Sequence, residues 1–324
     1  MNGYDTYEEK VKGNIRRKIS HSSYPSYLIA LSNHLSSLSD NSIYHYVDIV
    51  NDFLTTTGKQ PETLSLEDYD SFMVKKSKFV ASHQVLAYHA LSHFSEYMFA
   101  SGKADKDWMK FVKRPKSKES RQTKERRENG YLDEEEIKEF LNNVRNGVGT
   151  DEQKARQKEW RERDVCLMLI ALTTGLRRAA LYKLDVDDVD LDHGTITVVD
   201  KGDKIQEYNI PSSVMDDISK WLTKRVTLVK AGEDALFISN RGTRMTPETI
   251  YACVRKYSAN IEGKHISPHK LRASYATALY NKTHDVYFVS QAMGHSGVEV
   301  TKLYIRGKQN QIRKDAAELI NGVI

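Results

Sequence analysis

Two cysteines, six prolines and seventeen glycines among 324 residues leave little room for several classes of protein. Cys166 and Cys253 belong to no CxxC pair, which argues against a disulfide-stapled scaffold and predicts a reduced, cytoplasmic protein. The scarcity of proline and glycine predicts an ordered globular chain rather than a low-complexity one. No run of about eighteen apolar residues occurs, so no membrane span is expected. Met1–Lys18 lacks the apolar stretch of a secretory leader. Neither HExxH nor a Cys/His ligand spacing is present, and His83, His89 and His93 read as surface or groove residues. Neither a metal nor another cofactor is therefore expected.

What the chain does have is charge. Lysine and arginine number 49 against 44 acidic residues, a formal excess of +5 with pI near 8.9. An excess that small says little about partners, so the distribution matters more than the sum. The hydrophobic fraction of 39% and a mean hydropathy of -0.60 describe a globular core under a well-solvated surface. A chain of this length holds two cores more readily than one.

Residues 1–20 are polar without periodicity and read as a flexible arm. Residues 21–109 carry helical stripes: Tyr46, Ile49, Val50 and Phe53 fall on one face, as do Ala87, Leu91, Phe94 and Met98. Breaks at Ser39–Ser42, Thr57–Pro61 and Ser101-Gly102 divide this region into roughly four helices. Residues 110–130 read as a linker, because Lys110–Arg127 holds nine basic residues against Glu119 and Glu125. A solvated spacer and a cationic tether along a phosphate backbone fit that composition equally.

A second domain, 131–324, opens with Asp133 and Glu136 as a capping box before the stripe Ile137, Phe140, Leu141, Val144. A central apolar helix spans about Arg163–Thr173 and stops at Thr174-Gly175. Thr195–Val199 and Gln206–Ile210 read as the strands of a hairpin whose tip is Lys201–Lys204. Helix returns after Pro211, Thr246-Pro247 marks another start, and Asp285 and Gly294 bracket a short helix. The fold class expected is mainly α with a small antiparallel β-sheet. Repeats are absent.

Five segments stand out for chemistry: Thr174-Gly175-Leu176-Arg177, Lys201-Gly202, His269-Lys270-Leu271-Arg272, Met293-Gly294-His295, and Tyr304. Each alone is weak. Together, their order and their spacings of 24 residues from Arg177 to Lys201, 23 from Arg272 to His295 and 9 from His295 to Tyr304 resemble the tyrosine recombinases of the phage-integrase type. The likeness covers nearly all of the second domain and, more loosely, the first. It implies an N-terminal helical (SAM-like) core-binding domain followed by a tyrosine-recombinase catalytic domain.

The resemblance also implies roles. A phosphodiester repels nucleophiles, and its displacement spreads charge over the non-bridging oxygens, so fixed cations are the main requirement. Arg177 and Arg272 suit it, since a guanidinium binds two phosphate oxygens at once and stays charged. By resemblance Lys201 is the general acid at the 5′-oxygen, with Lys204 the competing assignment. His269 would take the proton from the tyrosine, and His295 would hydrogen-bond the phosphate. Tyr304, a phenol of pKa about 10, would attack to give a 3′-phosphotyrosyl enzyme and a free 5′-hydroxyl, so that strand exchange needs neither ATP nor metal. One position departs from the pattern: Ala180 stands where the family usually carries an acid that orients the basic groups.

The family's two domains clamp duplex DNA with the basic linker across it, and its members act as tetramers on paired sites. On that pattern the expected partners are double-stranded DNA bearing a specific site and further copies of the chain, with the protein in a bacterial cytoplasm at the nucleoid. Lys75, Lys76, Lys78, His83 and Gln84 in the first domain, Lys113, Arg114 and Lys116 in the linker, and Arg241 and Arg244 before Thr246 are the candidate DNA contacts. The apolar stripe of Ile312–Ile324 fits docking on a neighbouring protomer and closure of its own core equally. The leading reading is a site-specific recombinase or integrase. The alternatives are a phage or prophage repressor that keeps the scaffold without cleaving, favoured by Ala180, and a type IB topoisomerase.

Overall fold

A computed structural model describes residues 25–76, 81–115, 130–200, 204–261, 264–294, 297–298 and 301. The expected arm at 1–20, the greater part of the linker, Lys78, Lys116, Lys201, His295, Tyr304 and the segment Ile312–Ile324 lie outside the described residues. The chain divides into two compact units that meet at residues 120 and 121.

The described part of the first unit is helical: α1 (Ser26–His34), α2 (Asp40–Thr57), α3 (Leu66–Lys76) and α4 (Ala81–Ala100), with a 3-10 turn at Pro61–Thr63. Ser39 starts α2 by accepting from the Ser42 amide, and left-handed Gly58 ends it. The anticipated faces supply the core, with Val50, Phe53, Leu91, Phe94 and Met98 fully buried and Tyr46 and Ile49 at its edge. Phe53 meets Phe72 edge to face and stacks near Trp108, which closes the bundle.

The second unit is built around α7 (Arg161–Thr174), a helix so uniformly apolar after its first turn that it is buried on every side. Around it stand α5 (Glu134–Asn146), α6 (Asp151–Lys158), α8 (Arg178–Lys183), α9 (Ser212–Arg225), α10 (Pro247–Tyr257), α11 (Pro268–Thr283) and α12 (Val286–Ala292). The capping box of Asp133 and Glu136 forms at the start of α5. Helix α9 is latched by Trp221, whose indole donates to the Leu236 carbonyl at 2.9 Å. Strands β1 (Val189–Asp190), β2 (Thr195–Asp200) and β3 (Lys204–Asn209) form one antiparallel sheet in the order β1-β2-β3. Ile196 pairs with Tyr208 and Val198 with Gln206, so these four side chains share the inner face.

The first turn of α7 carries a buried charge. Asp164 is fully buried and accepts from Arg163 Nε at 2.9 Å, Lys256 Nζ at 3.0 Å and the Tyr257 hydroxyl at 2.6 Å. Burial pushes the Asp164 pKa up, but Arg163, Lys256 and Tyr257 more than reverse it and hold the carboxylate below its usual range. A folded pKa below the unfolded value of about 3.9 means that this stabilisation is present above that pH. It disappears as pH falls through the folded pKa. Asp164→Ala is expected to cost about 3–5 kcal/mol at neutral pH, since it strands a buried arginine. Urea unfolding of the two proteins measures this, and equal midpoints would show that the network carries no net stability.

Candidate active site

Helix α7 ends because Gly175 takes the left-handed conformation, φ 63°, its amide donating back to the Ala171 carbonyl while its own carbonyl points out of the helix. Helix α12 ends in a similar way, with Met293 as its cap and Gly294 left-handed at φ 62°. Arg272, on α11, reaches both ends. Its Nη1 donates to the Gly175 carbonyl and its Nη2 to the Met293 carbonyl at 2.8 Å. Arg272 is 2% exposed, and its guanidinium sits where two helix dipoles present their negative ends.

Arg177 follows Gly175 by two residues, remains exposed, and serves as the N-cap residue of α8. His269 lies one turn before Arg272 on α11 and keeps an exposed edge. Its pKa is lowered, first by the loss of solvent around the ring and then by the charges of Arg272 and Arg177. Three of the residues expected from sequence therefore act on one another electrostatically, although they come from two distant stretches of chain. The ring is held in its neutral form at neutral pH, the form that accepts a proton. Lys201, His295 and Tyr304 complete the expected set from outside the described residues, and Thr301, fully buried, is the nearest described position before Tyr304.

Ala180 is also placed. It is 6% exposed and belongs to the apolar core of the unit, where a carboxylate would lose its hydration. Residues that the sequence reading passed over stand close by. Gln206 of β3 approaches Gly294 and accepts from the Tyr208 hydroxyl, and Tyr275 of α11 lies against Gly175. Strand alternation could have shown Gln206 and Tyr208 to be on one face, but not what that face meets.

Of the expected DNA contacts in this unit, Arg241 is exposed and Arg244 is not. Arg244 is 8% exposed and donates to the carbonyls of Tyr182, Lys183 and Leu184 at 2.9–3.3 Å, with Asp185 as its ion-pair partner. It caps the C-terminal end of α8. In the first unit Lys75 and His83 are exposed, as are Lys113 and Arg114 at the start of the linker. Lys76 pairs with Asp52 at 2.6 Å and lies over the Phe72 ring, and with His83 it lines a cavity of about 230 Å³ between α2, α3 and α4. Gln84, half-buried on α4, follows His83. No group of acidic, histidine or cysteine side chains suited to a metal occurs among the described residues.

The second unit seats Arg272 on two helix-end carbonyls, with His269 one turn before it on α11 and Arg177 acting electrostatically on His269. Residues 130–311, more than half of the chain, match the model of the phage integrase family, and the chain belongs to that family. Tyrosine recombinase XerC of Vibrio parahaemolyticus is 34% identical over 143 residues, 44% of this chain and 46% of that protein. The match thus spans just under half the length of that relative. Tyrosine recombinase XerC of Alcanivorax borkumensis is 27% identical over 279 residues, 84% of this chain and 86% of that protein.

Two solved structures share the fold at low identity. One is XerH site-specific recombinase bound to palindromic difH substrate in a post-cleavage complex, with TM-score 0.69, 19% identity and coverage of 95% and 94% of the two chains. The other is a lambda integrase dimer bound to a COC′ core site, with TM-score 0.63, 18% identity and coverage of 86% and 94%.

Two measurements check this description. In the free protein His269 is expected to titrate below the ordinary histidine value of about 6.5, and Arg177→Ala, by removing a neighbouring cation, should raise its midpoint. Proton NMR of the imidazole reads both, and a midpoint unmoved by the substitution would place Arg177 too far away to matter. Arg244→Ala should lower the urea midpoint while leaving the salt dependence of DNA binding unchanged. A slope smaller by about one would instead make Arg244 a phosphate contact.

Proposed function

We propose that this chain is a site-specific DNA recombinase that cuts and rejoins strands through a 3′-phosphotyrosyl intermediate on Tyr304. The observation that carries the reading is the seat of Arg272. Its bonds to the Gly175 and Met293 carbonyls draw the segment bearing Arg177 and the turn that leads into His295 to one guanidinium. Membership of the phage integrase family supports the same chemistry.

In this mechanism Arg177 and Arg272 neutralise the phosphate as charge builds on its non-bridging oxygens. Neutral His269 accepts the phenolic proton as Tyr304 attacks phosphorus. Lys201 donates a proton to the departing 5′-oxygen, and His295 hydrogen-bonds the phosphate. The phosphotyrosyl bond preserves the energy of the original diester, so a 5′-hydroxyl from another strand reverses the step. Lys75, His83, Gln84, Lys113, Arg114 and Arg241, with Lys76, Lys78 and Lys116, are proposed contacts to the duplex. The working partner is double-stranded DNA carrying a specific site, bound by several copies of the chain. The XerH and lambda integrase structures that share the fold are bound to difH and COC′ DNA, which supports DNA as the partner class. A core-binding domain at 21–109, a basic linker at 110–130 and a catalytic domain at 131–324 give the proposed division of labour. A bacterial cytoplasmic setting at the nucleoid follows from the same reading.

The test uses a duplex selected from random sequence by binding to the full chain, then nicked near the centre of the site so that religation is blocked. The wild type should accumulate a denaturation-resistant protein–DNA adduct, and Tyr304→Phe should accumulate none while binding normally. Arg177→Ala should slow adduct formation by about 100–1,000-fold. Tight, sequence-selective binding by the wild type with no adduct would overturn the enzyme in favour of a DNA-binding regulator.

A further inference from the structure

Both carbonyls that hold Arg272 belong to glycine turns, and both turns are roofed by a side chain from elsewhere in the unit. A Cβ added to Gly175 would lie 3.0 Å from Cε1 of Tyr275 and 3.2 Å from Sδ of Met293. One added to Gly294 would lie 2.5 Å from Nε2 and 2.9 Å from Cδ of Gln206. The Gln206 carboxamide therefore rests directly on Gly294, the residue that follows the Met293 carbonyl. No side chain at 294 would allow that approach.

Gln206 is itself held. Tyr208, two residues along the same face of β3, donates its hydroxyl to Gln206 Oε1 at 2.9 Å. The phenol of Tyr208 also acts on Tyr275, whose pKa is raised by burial and then by Tyr208, and lowered by Arg272. Tyr208 thus stands near the roofs of both glycine turns. The buried residues Val198 and Ile196 of β2 pair with Gln206 and Tyr208 and flank them on the same face, so the pair is mounted on a packed strand rather than on a loop.

We propose that Gln206, anchored by Tyr208, is a positioning residue that presses on Gly294 and so fixes the Met293 carbonyl that orients Arg272. The functional weight of this contact rests on the recombinase reading above, in which Arg272 binds the phosphate. Strand β3 begins three residues after Lys201 in sequence and pairs with β2 along its length. A shift of that strand is passed through Gln206 to the guanidinium, which couples the hairpin to the phosphate clamp. Ala180 removes one ordinary means of orienting the basic groups, and the Tyr208–Gln206 pair supplies another from the opposite side of the chain's sequence.

The guanidinium resonances of Arg272, identified by their loss in Arg272→Lys, report the contact in isotope-labelled full-length protein without DNA. Gln206→Ala and Tyr208→Phe should each move those resonances, and the double variant should move them no further than Gln206→Ala alone. Tyr208→Phe removes only a hydroxyl and keeps the ring, so it decides the matter if Gln206→Ala fails to fold. Resonances unmoved in the folded variants would overturn the proposal. In the adduct assay both substitutions should slow single-turnover cleavage about tenfold with duplex affinity unchanged. Equal cleavage rates for variant and wild type would also overturn it. A wild type that forms no adduct would sink the recombinase reading instead, while the spectra would still decide the contact.

Discussion

The second unit depends on a cation placed where water is scarce. An arginine that is 2% exposed must have its charge matched by fixed dipoles, and Arg272 finds them in two carbonyls at the ends of α7 and α12. The partners lie 97 and 21 residues from it along the chain, so one side chain closes two long loops of sequence on itself. Helix ends that would otherwise leave their last carbonyls unmatched become the mount for a charge. Arg244 solves the same problem at the end of α8, and Arg225 donates to the Ala235 carbonyl at 2.8 Å. Buried arginines on main-chain oxygens are therefore a recurring device in this unit, and only one of these three stands among the expected catalytic residues.

Much of the fold was legible because its signals are local. The cap at Asp133 and Glu136, the proline after Thr246 and the stop at Gly175 are each encoded within a few neighbours. Elements without such signals were missed. Helix α6 has no apolar face at all and is held by the Thr150–Gln153 box and by Gln157, which bonds both the amide and the carbonyl of Val148. Strand β1 is two residues long, too short to show alternation.

At the site the balance reverses. Arg177, His269 and Arg272 were readable from motif order, whereas the burial of Arg244 depends on Asp185, 59 residues away, and on the end of a helix that is itself only six residues long. Position 180 shows the same limit. Its departure from the family pattern is plain in the sequence, but its place in the apolar core, beside α7 and the sheet, is a tertiary fact. Gln206 and Tyr208 carry no motif, and only the folded chain brings Gln206 to Gly294, with Tyr208 bonded to it.

The two sulfhydryls lie deep in the same core, with Cys166 fully covered and Cys253 at 6%. Burial pushes both thiols well above the ordinary cysteine range, most strongly through loss of solvent and further through Asp217 and Asp164 respectively. A thiolate is the species that alkylates and exchanges, so neither native sulfur offers a reactive handle. The folded protein is accordingly a quiet background for bioconjugation: a single cysteine introduced on the surface would take a dye or spin label alone, without first removing the two that nature supplied.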